Sequence, residues 1–193
     1  MMQKIIAATK NKNKIKEFKE ILPDYDIITQ EEAGIDLDVE ETGTTFMENA
    51  RLKALAIFEK TGLPALADDS GLEVFSLGGE PGIYSARYGG EGLDDKGRLN
   101  LLLEKMTDVE DGLRGAQFVC AICFVTGDKV YEAEGKCEGV ITREAKGENG
   151  FGYDPVFYVE EMGKTNAEMT SDEKNSISHR GKALRNLAEM LGD

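Results

Sequence analysis

The stretch Leu66-Ala67-Asp68-Asp69-Ser70-Gly71-Leu72-Glu73-Val74 decides how the rest of the chain is read. Its apolar residues have the composition of a buried strand, yet two adjacent carboxylates and a hydroxyl interrupt them just before a glycine. Burying carboxylates is costly unless something compensates them. Two readings follow from these residues alone: an acidic turn between two strands, or a strand-end site for a hard cation such as Mg²⁺. That ion takes one or two carboxylates together with water and phosphate oxygens. A helical pattern ahead of the stretch and the turn Gly78-Gly79-Glu80-Pro81-Gly82 behind it put the carboxylates near an element boundary.

Upstream, Thr45-Phe46-Met47-Glu48 has capping-box spacing and opens a helix with Phe46, Ala50, Ala54, Leu55 and Phe58 inward, closed by Gly62 and Pro64. Before it, Asp36-Leu37-Asp38-Val39-Glu40 alternates polar and apolar in strand fashion and ends in Glu40-Glu41. Tyr25 to Thr29 and Lys4 to Ala8 read as further short strands, separated by a helix with Ile15, Phe18 and Leu22 on one face and Pro23 at its end. At the start of that helix, Thr9-Lys10-Asn11-Lys12-Asn13-Lys14 crowds lysines where the helix dipole disfavours cations. A bound phosphate would resolve the conflict, and a solvated basic first turn is the alternative.

Downstream, Leu99, Leu102, Leu103 and Met106 mark a helix over Asp94 to Met106. Ala116 to Thr126 is apolar on both faces, as a central strand is, and Thr126-Gly127-Asp128-Lys129 turns it into a second strand ending at Gly135. A third spans Cys137 to Thr142. Gly147-Glu148-Asn149-Gly150-Phe151-Gly152-Tyr153-Asp154-Pro155 either exposes Phe151 for stacking on a base or forms a tight turn over a buried ring. Thr170 to Lys174 repeats the capping-box spacing. Ser178-His179-Arg180 then precedes a last amphipathic helix with Ala183, Leu184, Leu187 and Leu191 inward. Alternating strands and helices followed by antiparallel strands predict an α/β fold, a mixed sheet flanked by helices.

The chain has 193 residues, enough for one large domain or two small lobes, and a formal charge of −14 that repels nucleic-acid polymers. A small phosphorylated ligand is compatible with that charge. No apolar segment reaches the roughly 18 residues of a membrane span, and a cytoplasmic protein is expected. Cys120 and Cys123 fall on opposite faces of one strand, so a shared metal or a bridge between them is not expected.

Several of these segments, in this order, resemble one family. They are Thr9 to Lys14 (T-x-N-x-x-K), Ala67-Asp68-Asp69-Ser70-Gly71-Leu72, Pro81-Gly82-Ile83-Tyr84-Ser85-Ala86-Arg87, Gly150 to Pro155 (G-F-G-Y-D-P) and Ser178-His179-Arg180. Together they resemble the inosine triphosphate pyrophosphatase family, the non-canonical purine nucleoside triphosphate pyrophosphatases or dITP/XTP pyrophosphatases. Lys10 and Asn13 stand where many members have glycine.

The resemblance implies a single domain, residues 1–193, of two lobes with the active site in the cleft between them, and a homodimer. It implies Mg²⁺-dependent hydrolysis of ITP, dITP and XTP to the monophosphate and pyrophosphate. Asp69 would be both metal ligand and proton acceptor, with Glu40 as the second metal carboxylate; the adjacent Glu41 has the same chemistry. Thr9, Asn11 and Lys14, within a segment that includes Lys10, Lys12 and Asn13, would hold the triphosphate, and Ser70 would touch substrate. Phe151, Gly152, Tyr153, Asp154, Lys174, His179 and Arg180 would serve the base and sugar. Donors from Arg180, Lys174 or His179 aimed at the purine 6-carbonyl would select against an amine there.

Overall fold

Strand-helix-strand connections at the start of the chain build a parallel edge. In the computed structural model, which describes residues 4–192, β1 (Lys4–Ala7) pairs in parallel with β2 (Asp26–Thr29) and with β3 (Ala65–Val74). The connecting helices are α1 (Lys12–Ile21) and α2 (Phe46–Thr61). Asn11 caps α1, and Thr45 and Glu48 cap α2 reciprocally. Gly62 ends α2 in the left-handed region at φ 66°, open to glycine without steric cost.

The remaining elements are α3 (Asp95–Lys105), β4 (Gly115–Thr126), β5 (Lys129–Ile141), β6 (Phe157–Val159), β7 (Lys164–Thr165), α4 (Ser171–Ile177) and α5 (His179–Gly192). The sheet has the order β2-β1-β3-β4-β5-β6-β7, antiparallel at β5-β6 and β6-β7, hence mixed. No helix among the described residues is long and apolar enough to cross a membrane.

The chain divides into two units, each with its own core. The first holds residues 4–70, 120–135 and 179–192. Strand alternation splits its core into two layers. Ile5, Ala7, Leu66, Cys120, Ile122 and Phe124 pack with Phe18 of α1 and Leu184 and Leu187 of α5. Ile6, Ala65, Ala67, Cys123 and Val125 pack with Ala50, Ala54 and Ile57 of α2. The cysteines thus lie in different layers and form no disulfide, and burial pushes the Cys123 thiol up to about 12. The second unit, residues 71–119 and 136–178, centres on Leu72, Leu102, Met106, Phe157 and Met169.

Three expectations need correction. Asp68, Asp69 and Ser70 lie inside the ten-residue β3, not at an element boundary. Residues 35–43 form no strand, because nothing pairs with them; the Gln30 amide on the Leu37 carbonyl (3.1 Å) and the Lys60 ammonium on that of Asp36 (3.3 Å) hold the segment instead. The two strands expected either side of Lys136 are one, β5. Its glycines mark close backbone approaches rather than a break. A Cβ on Gly135 would lie 2.1 Å from the His179 carbonyl oxygen and 2.5 Å from the Ala183 nitrogen. Gly135→Ala is therefore expected to destabilise by about 1–3 kcal/mol in urea unfolding. Gly112→Ala, which meets nothing within 4 Å, should stay within about 0.5 kcal/mol of wild type.

Candidate active site

The alternation of β3 sends its two aspartates to opposite faces. Asp68 and Ser70 share the face of α1 and α5. There the Arg180 guanidinium donates to Asp68 Oδ2 through Nε (3.2 Å) and Nη2 (3.1 Å), to Ser70 Oγ through Nη2 (2.8 Å), and to the Glu17 carboxylate through Nη1. Lys14 Nζ lies 3.1 Å from the same Asp68 oxygen. Lys14 and Glu17 are one turn apart on α1, which is why both reach this spot. Burial opposes the charge on Asp68, but Lys14 and Arg180 outweigh it and hold the carboxyl well below the usual range. Its other oxygen, Oδ1, is buried with no hydrogen-bond partner.

Arg180 thus differs from the expected base contact. Only 1% exposed, its guanidinium is turned inward onto the buried carboxylates of Asp68 and Glu17 and the half-buried Ser70 hydroxyl. His179, also buried, is the first residue of α5 rather than part of a segment before it. In the expected phosphate segment, Asn11 Oδ1 accepts from the backbone N–H of Asn13 (3.0 Å) and Lys14 (3.3 Å), and Thr9 Oγ1 accepts from that of Asn11 (3.1 Å). Lys10, Lys12 and Asn13 are exposed, Lys10 lying 3.6 Å from Asp38.

Asp69 faces α2. Its Oδ2 accepts from Asn49 Nδ2 (3.1 Å) and its Oδ1 from the Ser70 N–H (3.1 Å). Lys53, one turn after Asn49, puts its ammonium 3.7 Å from Asp69 Oδ1 and 2.7 Å from Glu41 Oε1. Burial is the main cause that raises the Asp69 pKa above the ordinary carboxylate value; Lys53 works against it and Glu41 with it. On Lys53, burial is outweighed by Asp69, Asp68 and Glu41, so the ammonium is held charged.

Glu40, the expected second metal ligand, is exposed, whereas the half-buried Glu41 shares a cation with Asp69. Two carboxylates facing one positive charge form an all-oxygen pair of the kind that binds Mg²⁺ alongside water and phosphate, so the residues present fit that ion through Asp69 and Glu41. Among the described residues no group of three Asp, Glu, His or Cys side chains is placed to hold a metal by itself.

In the second unit, Asp154 organises the glycine-rich loop. Its Oδ2 accepts from Lys174 Nζ (2.8 Å) and the Phe151 N–H (2.9 Å), and its Oδ1 from Asn166 Nδ2 (3.1 Å). The Lys174 ammonium sits 4.9 Å from the centre of the half-buried Phe151 ring. Gly152 donates to Asp95 (3.0 Å), and the buried Tyr153 hydroxyl donates to the Ser85 carbonyl (2.8 Å). Tyr153 and Asp154 therefore serve as internal struts, and Phe151 is the loop's presented ring. It lines a cavity of about 340 Å³ with Leu99, Asn100 and Pro155.

A mixed α/β protein with a buried acid-lysine centre of this kind has relatives. The sequence model of the Ham1 family matches residues 5–190. A Staphylococcus epidermidis protein named dITP/XTP pyrophosphatase is 51% identical over 98% of this chain and 97% of its own length; one from Escherichia coli O157:H7, so named too, is 50% identical over 98% of both. The structure of the Staphylococcus aureus Ham1 protein superposes with a TM-score of 0.89 at 46% identity, covering 98% of each chain. That of a Ham1 protein from Coxiella burnetii gives 0.89 at 44%, covering 99% of each. The chain belongs to the Ham1 family.

Asn49, Lys53, Glu41 and Glu17 are the site neighbours that sequence reasoning passed over or left second. Asn49 and Lys53 had a signal: both follow the Thr45 cap at α-helical spacing on the face that α2 turns to β3.

Proposed function

We propose that this chain is a nucleoside triphosphate pyrophosphatase that hydrolyses ITP, dITP and XTP to the nucleoside monophosphate and pyrophosphate with Mg²⁺, removing non-canonical purines from the nucleotide pool. The observation that carries the reading is the desolvated Asp69, with a raised pKa, between a buried amide donor and a lysine. It is the setting of a carboxylate made more basic than an exposed one. The names of the half-identical relatives support the substrate class.

Asp69 Oδ1 takes a proton from water as the water oxygen bonds to the α-phosphorus; the bond from that phosphorus to the bridging oxygen breaks and pyrophosphate leaves. When bound by Asp69 and Glu41, Mg²⁺ supplies charge neutralisation at the phosphoryl oxygens. Lys14 and the first turn of α1, capped by Asn11, are assigned to the triphosphate. Phe151 is assigned to stacking on the base. Lys174, held by Asp154 beside the Phe151 ring, is assigned to the purine 6-carbonyl.

Two rivals make different products. A nucleotide sensor would release nothing, and a γ-phosphatase would release phosphate. With Mg²⁺ and each of ITP, XTP, dITP, GTP, ATP and dTTP, pyrophosphate is expected from the first three with kcat/KM more than about tenfold above the others. Phosphate as the main product, or equal use of ATP, would overturn the reading.

A further inference from the structure

We propose that Asn49 is the positioning residue of Asp69, fixing which carboxylate oxygen is presented to the reacting water. The inference rests on the role of Asp69 proposed above. Asn49 is fully buried on α2, and its Oδ1 accepts from the Gly43 N–H at 2.8 Å. A backbone N–H only donates, so the amide oxygen must face Gly43 and the NH₂ must face Asp69. The amide therefore has a single satisfied orientation. Gly43 is part of the device: a Cβ there would lie 2.6 Å from Asn49 Oδ1 and 2.7 Å from Glu48 Cβ, so only glycine lets the backbone come this close.

The consequence for Asp69 is that its two oxygens become inequivalent. Oδ2 is held by a fully buried side-chain donor with one satisfied orientation, while Oδ1 accepts from the Ser70 N–H and faces Lys53. Because the other end of the amide grips Gly43, the same side chain keeps the segment carrying Glu41 in place beside α2.

Asn49→Asp isolates the contact, since it keeps an acceptor for Gly43 and replaces the donor to Asp69 with a second acceptor. In the ITP assay with Mg²⁺, kcat is expected to fall about 10²-fold with KM little changed. Placed on Asp69→Asn, the same substitution should cost no further turnover, because a residue acting through Asp69 has nothing left to act on. Unfolding midpoints give a second readout. Asn49→Asp sets two buried acids face to face and should be less stable than wild type. The double variant Asn49→Asp/Asp69→Asn restores one donor opposite one acceptor and should be more stable than Asn49→Asp.

Unchanged kcat in Asn49→Asp, equal losses in both backgrounds, or a double variant no more stable than Asn49→Asp would each overturn the proposal. If Asn49→Asp does not fold, recovery of folding in the double variant supports the pairing and its absence overturns it. A wild-type protein that releases no pyrophosphate would defeat the functional reading, and the midpoints would still judge the pairing.

Discussion

Asp69→Asn is expected to lower pyrophosphate release from ITP by about 10²–10⁴-fold, the usual contribution of a positioned general base. The substitution preserves size, and Asn49 stays close enough to bond the new amide oxygen once the side chain selects its orientation. Lys53 keeps Glu41 as a partner at 2.7 Å, so no buried ammonium is stranded. Folding and nucleotide binding should therefore survive, the latter measurable by calorimetry with ITP. The pH profile adds a sign. Asp69 accepts a proton only when ionised, and burial raises its pKa in the metal-free protein, so wild-type activity at limiting Mg²⁺ should fall as pH drops through a value above that of an ordinary carboxylate. That limb should vanish from the residual activity of Asp69→Asn. Turnover within a few-fold of wild type would remove Asp69 from the chemistry.

Arg180→Ala should instead cost stability, by about 3–5 kcal/mol in urea unfolding, since removing one partner leaves buried charges uncompensated. Asp68 is fully buried and Glu17 nearly so, and both rely on this guanidinium. Arg180→Lys should recover only part of the loss, because an ammonium cannot reach Asp68, Glu17 and Ser70 with a fork of fixed geometry. The linkage has a definite direction. Asp68 has its pKa depressed in the folded state, so its contribution is complete above the ordinary aspartate value near 4 and fades as pH falls below it. The variant, with less depression, should show a shallower loss of stability in that acid range. A cost below about 1 kcal/mol, the value of an exposed pair, would mean the cluster is solvated in solution.

What was legible in the chain followed from local chemistry. The Thr45-Glu48 box, the Gly62 stop and the helical spacing between them determine α2 without help from elsewhere, and the alternation around Cys120 and Cys123 correctly separated the two thiols. The Asp68-Asp69 pair stands out in the sequence, but its place inside β3 and not at a boundary does not. Carboxylates inside a buried strand are tolerable only when Lys14, Arg180 and Lys53 arrive from three other elements, and no local pattern announces such meetings. Arg180 is legible as a site residue, but its partners Asp68 and Glu17 are not, lying 112 and 163 residues away. Glu41 is different. Ile35, Leu37 and Val39 are the half-buried phase of the alternation, so Glu41 belongs to the inward set and Glu40 to the outward one.

Neighbouring codons in β3 serve unrelated tasks, because one residue step along a strand is half a turn of the chain. The two faces still share charge, since Lys53 is held charged by Asp68 as well as by Asp69. Loss of a single residue between Leu66 and Asp69 would deliver a carboxylate to the face built for its neighbour, exchanging the partner of Arg180 with the partner of Asn49. An insertion or deletion here would therefore break both faces at once.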